Sequence, residues 1–369
     1  MILKSTIAAL RIKLRDRFIR FYTDDLVQIS RRRQANKVFK RNLPYLQPLQ
    51  PDQKQEILSF WEPYRKVNKE LDYFAFYNAN CSDKSQLKYY IPDVIFHSEV
   101  DRYFTDARRC DLLDDKNLYD LYFYDVNRPR TVIRRINGEF FDGDYQRITL
   151  DQALKLCIDA QQVVSKEAML SLGGHGVHFF DMTQDSVEEL KKCLTRTDNI
   201  NVQQVITQHE SLSKIHDKSI NTVRIMSLFL DGKVTILSSV LRMGRDGSRV
   251  DNACSGGIVC GINDDGTLKE FAFNTRGVHW DHHPQGLKFK GYKIAGYERC
   301  CEMVEKLSGR LYTASQLVSW DFAVGEDGEP ILIEVNFTWG EIDFHQLCNG
   351  PILGDLTEEV LSRVYHQSK

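Results

Sequence analysis

The stretch from 317 to 336 limits the fold more than any other part of the chain. It reads LVSWDFAV, then GEDGEP, then ILIEVN: two β-rich runs around Asp327-Gly328, a dipeptide that strongly marks a tight hairpin. A turn centred there sets Asp321 directly opposite Glu334, with Cβ atoms about 4.5–5.5 Å apart. Asn336, two residues on, shares their face. The alternation puts Ser319, Asp321, Ala323, Leu332, Glu334 and Asn336 on one side of the hairpin. Trp320, Phe322, Val324, Ile331, Ile333 and Val335 take the other, and all six are apolar. Three oxygen-bearing side chains therefore gather on a sheet backed by a dry core. Opposed carboxylates repel when no cation lies among their strand partners, and a metal removes that repulsion. Hard oxygen donors suit Mg²⁺, with Mn²⁺ as a substitute. The competing reading is a half-exposed hairpin with a polar outer face.

A second hairpin is expected from Asn221–Leu230 and Lys233–Arg242 around Asp231-Gly232. Regular pairing sets Asn221 opposite Arg242 and turns Arg224 to the other face. Two strand arginines suit a clamp on a carboxylate or a transferring phosphoryl group, but an unbroken hairpin cannot aim both at one site. Either a bulge intervenes or one arginine acts alone. Arg242 is favoured, because it leads into the loop with Asp251-Asn252 and Gly256-Gly257. The alternative is that both arginines are structural ion-pair partners.

Upstream, Val163-Val164-Ser165-Lys166 ends a strand, and Gly173-Gly174-His175-Gly176-Val177 comes seven residues later. Adjacent glycines free backbone N–H groups to face an anion, and a lysine supplies compensating charge. No Gly-Lys-Ser/Thr is present, so this is not a Walker A loop, and taken alone it also fits a Gly-rich turn. Val202–Ile206 reads as a short strand, with Glu210 seven residues after Gln203. A polar side chain beside exposed backbone suits an adenine edge; in isolation it is an edge strand.

In this order and at these separations the pieces resemble the ATP-grasp superfamily. Asp115-Lys116 with Arg128-Pro129 resembles the opening of that fold, and Lys166 with GGHGV its strand lysine and glycine loop. Gln203, Gln204, Val205 and Ile206 with Glu210 look like its adenine and ribose strand, where the family usually carries an acid in place of Gln203. Trp320-Asp321 with Glu334-Val335-Asn336 is similar to its metal pair, and Arg242 with Asn252 to its acceptor segment. HDKSINTVRIM (216–226), LRMGRDGSRVDNACSGGIVCGI (241–262) and WDFAV…ILIEVNFTWG (320–340) resemble the sugar-transfer-associated ATP-grasp group, from about residue 90 onward. The resemblance implies an α+β fold in which two α+β subdomains sandwich ATP behind a smaller N-terminal domain. It further implies an ADP-forming carboxylate–amine ligase that works through an acyl phosphate in cell-surface polysaccharide assembly. Small-molecule carboxylate and amine substrates, some sugar-linked, would be its partners. A kinase acting on a hydroxyl would share the ATP site, and a non-catalytic nucleotide-binding module is the rival from another class.

Charge adds one asymmetry. Basic and acidic residues nearly balance over the chain, 49 against 51, which gives no ground for a nucleic-acid partner. Yet residues 1–50 hold twelve basic residues and three acidic ones. This basic helical segment either docks on its own domain, the favoured reading, or touches an anionic membrane surface through residues 1–41. Nine cysteines without a C-x-x-C pair, and no apolar run near the ~20 residues of a membrane span, point to the cytoplasm or the inner membrane face. Domains are expected at 1–50, 51–130, 131–206 and 207–369. The sequence leaves the oligomeric state open. His279, His282 and His283 crowd one loop at a spacing that fits no standard zinc site.

Overall fold

The computed structural model describes residues 13–15, 18, 26–169, 176–182, 186–253 and 256–366. They divide into two units, one running up to Phe104 and resuming at Gly350, the other spanning Thr105–Asn349. In the first, the helix Leu26–Phe39 buries Ala35 and Phe39. Its arginines find acids within the same unit: Arg31 meets Asp101 at 3.6 Å, and Arg32 meets Glu99 at 3.0 Å and Glu70 at 3.4 Å. From Leu26 on, the basic segment is thus docked on its own unit; most of residues 1–25 lie outside the described residues. The aromatics of 52–112 serve as core, with Trp61, Phe74, Phe76 and Tyr77 almost fully buried. The helix Thr357–His366 belongs here too, its Tyr365 hydroxyl donating to Glu99 at 2.6 Å. No helix among the described residues is long and apolar enough to cross a membrane.

The second unit holds two antiparallel sheets. Strands β1 (Thr131–Ile136), β2 (Glu139–Asp142), β3 (Arg147–Ile148), β4 (Gln162–Glu167), β5 (His178–Asp181) and β6 (Ile200–Gln204) pair in the order β3-β2-β1-β6-β4-β5. The helices Leu150–Asp159 and Val187–Arg196 cover it. They place Ala153, Leu154, Cys157, Leu190 and Leu194 in one core with Val132, Ile133, Val163 and Val202 of the strands. Thr149 and Gln152 cap the first of these helices reciprocally, as their spacing predicts. Strands β7 (Thr222–Leu230), β8 (Lys233–Met243), β9 (Ile258–Ile262), β10 (Leu268–Phe273), β11 (His279–Trp280), β12 (Leu317–Val324) and β13 (Pro330–Asn336) form the second sheet, ordered β11-β10-β9-β8-β7-β12-β13. The helix Tyr297–Leu311 packs its Cys300, Val304 and Leu307 into the core that holds Trp320 and Phe322.

Both predicted hairpins form, and both carry an irregularity that the alternation did not reveal. In β12–β13, Gly325 N–H donates to Glu329 O, so the loop is Glu326-Asp327-Gly328 rather than a two-residue turn, with Gly328 in the left-handed region at φ 79°. Pairing near the loop is offset by one, Phe322 facing Leu332. A bulge at Ile333 then restores Asp321 opposite Glu334 and Ser319 opposite Asn336. The bulge also corrects the face assignment: Leu332 is fully buried in the core, and Ile333 turns toward the polar side. In β7–β8 the turn is Asp231-Gly232, both at positive φ, but Leu237 is left without a strand partner between the pairs Ser227–Ile236 and Met226–Ser238. Beyond that bulge Thr222, not Asn221, faces Arg242, and Arg224 shares its side. Of the two alternatives for the arginines, the bulge is the one realised.

Candidate active site

A cavity of about 220 Å³ is lined from both sheets of the second unit. The seven-stranded sheet lays three charges in a row. Arg224 on β7, Asp321 on β12 and Glu334 on β13 are direct neighbours across the strands. Arg224 grips Asp321 with both arms, Nε to Oδ1 and Nη2 to Oδ2 at 2.7 Å each. Arg242 Nη1 and Asn336 Nδ2 each reach Asp321 Oδ2 at 3.3 Å. Lys116 Nζ meets Glu334 at 2.7 Å. The repulsion expected between Asp321 and Glu334 is therefore relieved by protein cations, since Arg224 stands among the strand partners where the isolated hairpin showed none. Relief of that repulsion no longer calls for a metal. What remains is the donor chemistry: two carboxylates and an amide on one face, all capable of offering oxygen to a hard cation. Among the described residues no group of three or more His, Cys, Asp or Glu side chains is placed to hold a metal.

The charges tune one another. Burial raises the Asp321 carboxyl, but Arg224 and then Arg242 outweigh it and hold the group below the usual range. Burial lowers the Lys116 ammonium, and Glu334 more than reverses this. Lys166 has no such close partner. Burial brings it down to about 8, with Lys116 adding to the fall and Glu334 opposing it. Lys166 is thus poised to gain from an anion.

The six-stranded sheet supplies the other wall. Strand β6 is central, flanked by β1 and β4, and not the edge strand it resembles in isolation. Gln203, Gln204, Val205 and Ile206 line the cavity. Val205 N–H donates to Gln162 O at 3.1 Å, whereas the Ile206 backbone makes no hydrogen bond among the described residues. Gln203 is buried, and its Oε1 has no partner among them. An orphaned acceptor and a free backbone edge are what a planar donor–acceptor base would satisfy.

The other predicted residues divide. Asn252, Arg224, Arg242, Lys116 and Lys166 line the cavity with Asp321, Glu334 and Asn336. Glu210 does not: it is exposed and pairs with Lys214 at 3.1 Å, because His209 N–H bonds to Val324 O and carries the chain onto the second sheet. Gly176 lies against the Glu167 side chain at φ 77°, and Gly173, Gly174, His175 and Cys254 lie outside the described residues. His283 is buried with Nε2 against Gly244 O at 2.9 Å, so it serves the loop after β8, and His282 meets Asp281. Sequence reasoning missed Arg249, Phe179, Trp339 and Glu341, which also line the cavity. Arg249 stacks on Phe179 at 4.4 Å, a contact between residues 70 apart that no local pattern announces. For Glu341 a signal existed: an acid directly after Phe337–Gly340 and before a helical pattern.

Residues 184–361 match the family described as sugar-transfer associated ATP-grasp. The two antiparallel sheets and this match agree with the fold expected from the sequence. No curated protein matches the chain. Among solved structures, the D-cycloserine synthetase DcsG aligns with a TM-score of 0.42 at 13% identity, over 69% of this chain and 73% of that one. D-alanyl-alanine synthetase A from Vibrio cholerae aligns at 0.39 and 13%, over 67% and 65%. The ATP-grasp ligase PsnB, complexed with minimal precursor, gives 0.41 and 12%, over 76% and 70%.

Proposed function

We propose, taking residues 184–361 as sugar-transfer-associated ATP-grasp, that the chain is an ATP- and Mg²⁺-dependent carboxylate–amine ligase acting on small, sugar-linked or amino-acid substrates. The observation that carries the reading is one cavity lined by the Asp321–Glu334–Asn336 face, Lys116, Lys166, Arg224, Arg242 and the Gln203–Ile206 segment. Adenine would sit against Ile206 and the unpartnered Gln203 oxygen. Asp321, Glu334 and Asn336 would hold the cation, which when bound supplies charge neutralisation on the phosphate oxygens. Lys166, and Lys116 once released from Glu334, bind the phosphates.

Arg242 stabilises charge on the γ-phosphoryl group in flight. A substrate carboxylate oxygen attacks phosphorus, the bond to the bridging oxygen breaks, and ADP leaves with that electron pair. An amine then attacks the acyl carbon, the C–N bond forms, and phosphate departs with the C–O pair while the amine loses a proton. Removal of water by closure over the cavity protects the acyl phosphate.

The test is ADP release from Mg·ATP with pooled sugar acids and amines, read by mass detection. Free phosphate with a new amide supports the ligase, and a phosphorylated acceptor would make it a kinase. Glu334→Gln should lower ADP formation at least about a hundredfold, the order expected when a group that positions the reacting phosphates is lost. Unchanged turnover in that variant, or no ADP with any acceptor in folded protein, would overturn the reading.

A further inference from the structure

The segment joining β13 to the helix Ile342–Asn349 is held in an unusual shape. Trp339 and Glu341 both adopt the left-handed backbone, at φ 59° and 55°, within three residues. Such conformations are disfavoured for residues with a side chain and persist where the surroundings impose them. Gly340 between them shows what imposes this one. A Cβ there would lie 2.5 Å from Ser319 Oγ and 2.7 Å from Met226 Cε, so the backbone lies flat against β12 and β7.

The result is that the Glu341 carboxylate is delivered to Arg224, with Oε2 accepting from Nη1. Arg224 therefore carries two carboxylates, Asp321 and Glu341. Glu341 Oε1 makes no hydrogen bond among the described residues, and the side chain is 24% exposed and lines the cavity. The cavity's remaining acid, Asp251, is engaged at both oxygens, accepting from Thr222 N–H at 3.1 Å and lying 3.7 Å from Arg242.

Charge balance separates two regions. Lys116 with Glu334 is a neutral pair. Lys166 and Arg249 have no ion-pair partner among the described residues and suit phosphate. Arg224 and Arg242 together face Asp251, Asp321 and Glu341, two positive charges against three negative, and that excess suits a cation. The ligase reading leaves its amine without a protein partner. Resting on that reading, we propose that Glu341 is the specificity-determining carboxylate for the amine: Oε1 accepts an N–H from the primary ammonium of the second substrate, and Trp339 covers its carbon skeleton.

The test uses the full chain saturated with MgADP and titrated calorimetrically with ethanolamine, glycinamide and glucosamine, each against its N-acetyl form. At least one amine should bind the native protein about tenfold or more tightly than its acetylated partner, as a charge-assisted hydrogen bond allows. In Glu341→Gln that gap should close, while MgADP affinity falls less than about threefold. Glu341→Asp, with the same charge on a shorter arm, should keep part of the gap, and melting curves of both variants report folding. Survival of the gap in Glu341→Gln, equal loss of MgADP and amine, or no amine binding to a native MgADP complex would each overturn the assignment. Failure of the native protein to bind MgADP would instead remove the nucleotide reading beneath it.

Discussion

Lys166 shows how one side chain can report the state of the cavity. Its ammonium, brought down to about 8 by burial, is charged in most molecules at pH 7 and loses its proton as the solution becomes mildly alkaline. MgADP affinity should therefore fall as pH climbs past 8, by up to about tenfold per unit, and Lys166→Met should bind weakly at pH 7 without that slope. The linkage to folding has the opposite sense. Between about 8 and 10.5 the unfolded chain holds the proton that the folded chain has lost, so stability rises with pH there. Lys166→Met should accordingly raise the melting temperature of ligand-free protein at pH 7. A variant that melts lower, or that keeps the native pH profile, would show that Lys166 is not the anion-seeking group. The lysine itself was legible from its place before the glycine run. Its isolation from acids was not, because that depends on Lys116, fifty residues earlier, engaging Glu334.

At the level of elements, two bulges decide what the cavity contains. Alternation along a strand is legible in sequence, but an extra residue inverts every side chain beyond it, and Leu237 and Ile333 each merely follow another aliphatic residue, Ile236 and Leu332. The pairing of Asp321 with Glu334 was nonetheless read correctly, since the longer loop and the Ile333 bulge offset each other. Deleting Leu237 should make β7–β8 regular and keep Arg242 opposite Thr222, because Leu237 is the residue left without a strand partner. MgADP affinity is then expected to stay within about threefold, whereas Arg242→Met should lower it more than about tenfold, the scale of a lost charge-assisted contact. Retained affinity in Arg242→Met would mean that Arg242 is dispensable. Gly340→Ala probes the close approach of the strained segment to the sheet. The added methyl meets Ser319 Oγ and Met226 Cε, and a loss of about 1–3 kcal/mol is expected in denaturant unfolding. Thr149→Ala, which removes a capping box far from the cavity, should cost about 1 kcal/mol and leave nucleotide affinity alone.

For the whole molecule, buried histidines set the acid limit. Burial lowers both His97 in the first unit and His345 in the second to about 3, with nearby arginines adding to the effect. The unfolded chain takes up protons there from about pH 6.5 downward while the folded chain does not. Each histidine thus withdraws stability as pH falls through 6.5 toward 3, at up to about 1.4 kcal/mol per unit. In the first unit Asp93 works the other way: burial raises its carboxyl to about 6, and that contribution grows as pH falls from 6 toward 3.8. The second unit should therefore be the more acid-labile, and proteolysis at about pH 4.5 should cut within 105–349 before 26–104. Earlier cutting in the first unit would contradict this balance. Nothing in the sequence pattern announces that residues from Gly350 on return to the N-terminal unit, because the contact between Tyr365 and Glu99 spans 266 positions.

That return has a consequence for how the protein is made. The segment 105–349 is continuous, whereas the unit around it is written in two pieces at either side. As the polypeptide leaves the ribosome, the two sheets that line the cavity have all their strands before the helix Thr357–His366 exists. The first unit must wait, with Glu99 Oε2 lacking Tyr365 and Pro63 O lacking His366, until residues 350–366 have been translated.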